Sequence, residues 1–504
     1  MAQQRCLGMV VLCFIGLLPL PVYPADHVLM IGGGPSAESS QLSIEQNMVY
    51  FRRALGDLGR SDLRPEVFFA SGPEALPDVC LRSMDRLPRA HRLLAEILGH
   101  RHAVELEYRP HDIGPVDGPA RREAIMEAIH RKGRELNAGD RLLIYVSGHG
   151  GKGEPTANGR LSTWERGEIS VKDLGEALDQ FKPEVDVIVV MVQCYSGAFA
   201  NILFEGGNPD RPVARHRRAG FFATVDSRPA AGCSADTKIA DYREYSTSFL
   251  AALCGKSRQG EAIEADDIDD DGEISFVEAH AYAVETSPTI DICFRTSDRY
   301  LQTQSRLDPT DPKLVPEQAE LDELRKYADP IRRHSLEYLV QDLKLPAENA
   351  MTEAIRASKR LSFDRRRSKQ PRYDAQDEAD KQARQIEDDL LVRWPFLESG
   401  WHPQTQALLA EHPDDLVQAI QSHPAFAKWD QANRRAEELT EADLEKERQW
   451  AKYQRLLLVA KSIAREENLR RQGDQARIDK YLQIVAMENS TLRPTRGDLP
   501  LRTN

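Results

Sequence analysis

Residues 141–153 read RLLIYVSGHGGKG, and residues 185–197 read VDVIVVMVQCYSG. Each opens with an unbroken apolar run rich in β-branched side chains. Each run then closes on small residues that surround one reactive side chain. A continuous apolar run of this length is what a parallel sheet covered on both faces demands of its strands. The spacing predicts strands over 141–147 and 185–192. In such a sheet the carboxyl ends of neighbouring strands open into one crevice. His149 and Cys194 stand just past those ends, so both are expected on the same rim.

Working outward, a short apolar run at 27–31 predicts a first strand, closed by Gly32, Gly33 and Gly34. That glycine run lacks Gly-x-Gly-x-x-Gly spacing and reads as a turn rather than a phosphate cradle. A helix is predicted over 43–58 and a strand over 67–70. Helices follow over 121–136, behind Pro119, and over 171–181. A strand at 221–225 and a helix at 245–253 complete the alternation. Strands alternating with helices predict an α/β fold with a mostly parallel, layered sheet.

The chain has 504 residues, 41% hydrophobic and 29% charged, enough apolar content for a sizeable core and too much for disorder. Its formal charge of −13 and its 7% aromatic content exclude a general nucleic-acid binder. All but three of the 31 glycines lie at or before Gly272. Glycine marks turns, so the chain reads as turn-rich α/β up to about residue 305 and as helical beyond it. Pro309, Pro312 and Pro316 mark a linker. The region 306–504 is predicted as helices over 317–327, 331–343, 347–361, 375–394, 405–410, 414–421 and 441–471. Between two of these, 356–372 is strongly basic. It reads as a solvated face or loop, and as a candidate processing site. The helices are candidates for partner docking or self-inhibition.

A thiol is mostly protonated at neutral pH, and a nearby imidazole takes its proton or stabilises its anion. The same imidazole can protonate a leaving amine. The N–H groups of Gly150 and Cys194 are the candidate oxyanion hole, where one donor is typically worth ~2.7–4 kcal/mol. The pair predicts acyl-transfer chemistry.

Strand–His149-Gly150-x-x-Gly153 followed by strand–Cys194-x-Ser196-Gly197 resembles the caspase–legumain clan of cysteine peptidases. Cys194-Tyr195-Ser196-Gly197 is similar to legumain's Cys-Glu-Ser-Gly, and Phe222-Ala223-Thr224 through Tyr245-Ser246 resembles the segment after its nucleophile. The resemblance covers residues 26–300. It implies a caspase-like three-layer sandwich and endopeptidase activity on a peptide bond of a protein or peptide substrate; the all-α C-terminal region rests on the sequence pattern above. Two departures stand out. Val192 occupies the place of the family's pocket-lining Gln or Glu, with Gln193 one residue on. No counterpart is evident for the asparagine that orients legumain's histidine. Asp226, Asp236, Asp241 and Glu244 are candidate pocket acids that would favour a basic residue, as in metacaspases and clostripain-like relatives. Gln193, Asp241 and Glu244 are the candidate substrate contacts. The competing reading is a peptidase-like scaffold without catalysis, kept as a calcium-bound interaction module.

Residues 267–278, DIDDDGEISFVE, fit an EF-hand loop: carboxylates at Asp267, Asp269, Asp271 and Glu278, the Glu273 carbonyl at position 7, and Gly272 for the sharp turn. Ca²⁺ is the expected ligand. Ser275 and Glu278 also form a helix capping box, and the incoming helix of a full EF-hand is not expected. Residues 1–25 read as a secretory signal, with Arg5, an apolar run of about 14 residues and Ala25 before the cut. A periplasmic or secreted protein is expected, with no membrane association after cleavage. Of the five remaining cysteines, four could pair as two disulfides with Cys194 left free; the alternative is that all five are reduced and buried.

Overall fold

The structure is a computed structural model that describes residues 25–82, 87–238, 242–308 and 310–492. All of the signal segment but Ala25 therefore lies outside the described residues. Six strands form the main sheet: β1 (Asp26–Gly33), β2 (Glu66–Phe69), β3 (Arg141–Gly148), β4 (Asp186–Met191), β5 (Arg218–Phe222) and β6 (Phe294–Arg295). Their spatial order is β2-β1-β3-β4-β5-β6, all parallel except β6. The order reverses between β1 and β3, where an open α/β sheet forms its crevice.

Successive side chains on a strand point to opposite faces, and both faces are buried. Val28, Met30, Tyr145, Ile188 and Val190 pack against the helices Leu42–Asp57, Tyr245–Cys254 and Phe276–Thr286. Leu29, Ile31, Ile144, Val146 and Val189 pack against Arg122–Glu135 and Val171–Leu178 on the other face. This three-layer arrangement is why β3 and β4 read as unbroken apolar runs. A small antiparallel ribbon (Gly150–Gly151, Arg160–Thr163, Gly167–Ser170) stands directly beyond β3.

The strand expected at 221–225 is instead Arg218–Phe222. It begins at a buried Arg218, paired with Asp179 at 2.6 Å, which hydrophobic patterning does not count. The two helices expected at 347–361 and 375–394 are one 44-residue helix, Ala350–Arg393, that runs through Pro371 and the basic segment. It packs on the 47-residue helix Phe426–Gln472. Ser358 meets Gln454, Arg365 meets Glu447 and Asp389 meets His423. One number rises as the other falls, so the pair is an antiparallel hairpin. These partners hold the helix across the proline, whose missing N–H would otherwise break it. The basic segment is therefore a largely solvated helix face rather than a loop.

The base of the hairpin joins the core beneath the sheet, where Leu336, Leu339, Leu456 and Ile463 are fully buried with Tyr145 and Val190. Its far end packs on the helix Arg89–Leu98. Among the described residues no helix is long and apolar enough to cross a membrane.

Candidate active site

His149 is the first residue beyond β3, and Cys194 lies three residues beyond β4. The two strands pair directly, from Arg141 beside Asp186 to Val146 beside Met191. Both residues therefore stand on one rim, as the sequence predicts. A Cβ placed on Gly150 would lie 2.1 Å from the Cys194 carbonyl oxygen and 2.6 Å from Gln193 Cγ. The two loops touch so closely that only glycine fits between them.

Nε2 of His149 lies 2.8 Å from the Ser39 carbonyl oxygen and 2.8 Å from Gln41 Oε1. A carbonyl only accepts, so Nε2 carries the proton and Nδ1 is the basic nitrogen. Nδ1 has no protein partner among the described residues and is open to solvent. Burial holds the imidazole below its ordinary pKa, with the Ser39 bond opposing. The ring is thus neutral at pH 7. Ser39 and Gln41 fill the orienting role for which no asparagine is evident. Ser39 acts through its main chain, so no side-chain pattern could reveal it.

Cys194 Sγ accepts the Ala230 N–H at 3.3 Å. Burial pushes the thiol up, the Ala230 contact lowers it, and the nearby Asp291 raises it. Tyr195 follows in the left-handed region at φ 59, an uncommon conformation for a bulky residue. Its N–H donates to Arg228 O at 2.9 Å. The Cys194 N–H has no acceptor among the described residues. Ser162 N–H donates to His149 O at 2.9 Å, so ribbon alternation turns the Gly150 N–H away from its partner strand. No hydrogen bond joins Sγ to the imidazole.

The candidate substrate contacts are scattered. Gln193 is buried beside Gly150, and its Oε1 has no partner. Glu244 is buried, held by Asn47 at 3.0 Å and Arg258 at 3.2 Å. Asn47 also reaches Ser147 at 3.0 Å, so this network underlies the rim rather than lining it. Asp226 pairs with Arg299 at 2.8 Å, and Asp236 accepts the Lys238 N–H at 2.9 Å. Asp241 lies outside the described residues. One acid escaped sequence reasoning. Asp291 is fully buried, its Oδ1 takes the Ala231 N–H at 2.7 Å, and its Oδ2 has no partner. Burial pushes its pKa up to about 6. A lone acid in an apolar stretch gives no signal of its own.

In the acidic loop, the carboxylates of Asp267, Asp269 and Asp271 converge within 4.8 Å. Asp270 and Gly272 take left-handed conformations, and Asp267 holds the Gly272 N–H at 2.8 Å. Glu278 caps Phe276–Thr286 through Ser275 and also takes the Ile268 N–H at 2.7 Å. Burial and the neighbouring carboxylates raise the pKa of Asp269. Glu278, expected as a side-chain ligand, stands outside that cluster: its oxygens accept the Ile268, Asp269 and Ser275 N–H groups.

The expected disulfides do not form. Cys80, Cys194, Cys233, Cys254 and Cys293 are all free, with Cys194 and Cys233 only partly buried. Cys233 donates to Gly148 O at 3.8 Å, beside the rim.

No protein-family model matches the chain, and no curated protein matches it. Among solved structures, protein GSU0716 from Geobacter sulfurreducens is similar at a TM-score of 0.30 and 12% identity. The match covers 52% of this chain and 88% of that chain. Likeness at that level carries no argument about function.

Proposed function

We propose that this chain is an exported cysteine endopeptidase of the caspase–legumain kind, with Ca²⁺ held at residues 267–278. The observation that carries the reading is the contact of the two rim loops at Gly150, which sets His149 and Cys194 on adjacent parallel strand ends. Nδ1 of His149 takes the thiol proton through a bridging water or a bound substrate atom. The thiolate adds to the scissile carbonyl, and the Cys194 and Gly150 N–H groups receive the oxyanion. Collapse breaks the C–N bond as His149 protonates the leaving amine. Water then hydrolyses the thioester, with His149 again as base.

Asp267, Asp269 and Asp271 supply the side-chain oxygens for Ca²⁺, with Glu278 and the Glu273 carbonyl completing the set. A hard cation that takes six to eight oxygens suits such a loop. Its cluster of mutually repelling carboxylates supports the reading.

The raised thiol and the missing Sγ–imidazole bond favour a second reading, a scaffold without catalysis. Labelling by a peptidyl chloromethyl ketone separates the two. Mass spectrometry is expected to find the adduct on Cys194 in the wild type, with labelling at least tenfold slower in His149→Ala. Equal labelling in both proteins supports the scaffold.

A further inference from the structure

The segment 228–231 touches Cys194 and its neighbour Tyr195, and the long helix Phe426–Gln472 holds that segment directly at Arg228 and indirectly through Asp291. Arg228 O accepts the Tyr195 N–H at 2.9 Å, which fixes the left-handed residue after Cys194. The Arg228 guanidinium donates to Glu447 at 2.9 Å and lies over the Trp450 ring at 4.6 Å. Arg365, from the partner helix, lies 4.1 Å from the same ring and donates to Glu447 at 2.7 Å. The indole is thus clasped by two guanidinium groups that share one carboxylate.

The second grip works from beneath. Arg455 is buried on the same helix and donates to four main-chain oxygens: Asp291 at 2.7 Å, Thr289 at 2.8 Å, Ser287 at 2.6 Å and Val284 at 3.3 Å. That clamp fixes the turn carrying Asp291, whose carboxylate holds the Ala231 N–H at 2.7 Å. The adjacent Ala230 N–H donates to Cys194 Sγ at 3.3 Å.

We infer that Arg228, Glu447 and Trp450 are positioning residues through which the C-terminal hairpin sets the conformation and reactivity of Cys194. A left-handed bulky residue persists only where its surroundings over-determine it. Here that determination ends partly on the hairpin, beside the Gly197 N–H bond to Thr224 O at 2.8 Å just past β5. Cation–π stacking at partly buried sites is worth enough to hold a side chain in place, and the stack on Trp450 with the bond to Glu447 fixes Arg228 against the helix Phe426–Gln472. This inference deepens the peptidase reading and rests on it. It assigns the hairpin a role in the site, beyond covering the core.

The test is alkylation of Cys194 by iodoacetamide in the full chain, followed by peptide mass spectrometry across pH. Glu447→Gln keeps shape and removes the shared charge. Trp450→Ala removes the stacking face, and Trp450→Phe restores one. Glu447→Gln and Trp450→Ala are expected to slow Cys194 alkylation at pH 7 at least fivefold and to move its pH inflection upward, because the Ala230 contact is loosened. Trp450→Phe is expected to recover most of the rate. The melting temperature and the slow labelling of Cys80, Cys254 and Cys293 are expected to stay unchanged in Glu447→Gln. An unchanged Cys194 rate and profile in Glu447→Gln and Trp450→Ala overturns the inference. So does a change that appears only together with exposure of the other cysteines. The peptidase reading is judged separately, by His149→Ala against the wild type.

Discussion

Asp291 has one carboxylate oxygen occupied by the Ala231 N–H and one with no partner in a fully buried position. Its pKa therefore rises from the ordinary 3.8 to about 6. An acid raised in the folded state holds a proton there that the unfolded chain has lost, so stability falls as pH climbs from about 4 to about 6. At ~1.4 kcal/mol per unit, the cost above pH 6 is on the order of 3 kcal/mol. Asp291→Asn keeps the acceptor and removes the charge. Urea unfolding is expected to show the variant stabilised at pH 7.5 and little changed at pH 4; an equal gain at both values contradicts the assignment. The same charge raises the Cys194 thiol, so the variant is also expected to alkylate at lower pH than the wild type. At this scale the sequence was enough to put His149 and Cys194 on one rim. It could not reveal Ser39 or Ala230, which act through main-chain atoms, nor Asp291, whose meaning comes from burial alone.

Elements were legible where patterning alone decides them. Runs doubly buried in a parallel sheet announce themselves, and β3 and β4 fall within a residue or so of the expected 141–147 and 185–192. Patterning fails where a charge is buried or a helix is held by another helix. Arg218 opens β5 unseen, and Pro371 with its basic neighbours reads as a break until Glu447 and Asp443 are seen to pair with Arg365 and Arg372. Three-residue strands such as Val79–Leu81 and Glu107–Arg109 are too short to carry a period. The acidic loop belongs to this scale as well. Its three aspartates repel one another without a cation, so Ca²⁺ at 100 times its Kd is expected to stabilise the fold by about 2.7 kcal/mol. Differential scanning calorimetry with Ca²⁺ and with chelator should show the shift in the wild type and its loss in the double variant Asp267→Asn, Asp269→Asn. A wild-type melting temperature indifferent to Ca²⁺ rejects the metal assignment.

Across the whole molecule, the core that lies under β1, β3 and β4 continues into the helices beyond residue 305. Leu336, Leu339, Leu456 and Ile463 have no exposed surface, and Arg455 closes the turn behind Cys194. Losing several buried side chains of this size costs ~2–5 kcal/mol each, against a total stability of ~5–15 kcal/mol. A chain ending at residue 305 is therefore expected to bind a hydrophobic dye and to unfold without a cooperative transition. A sharp transition for that fragment shows instead that the α/β layer stands alone. The central claim, that the thiol at the rim cuts peptide bonds, is tested most directly by product masses from a peptide library incubated with the purified full chain and Ca²⁺. Discrete cleavage products are expected from the wild type and from neither Cys194→Ala nor His149→Ala. Products that persist in Cys194→Ala, or a wild type that cuts nothing, contradict it.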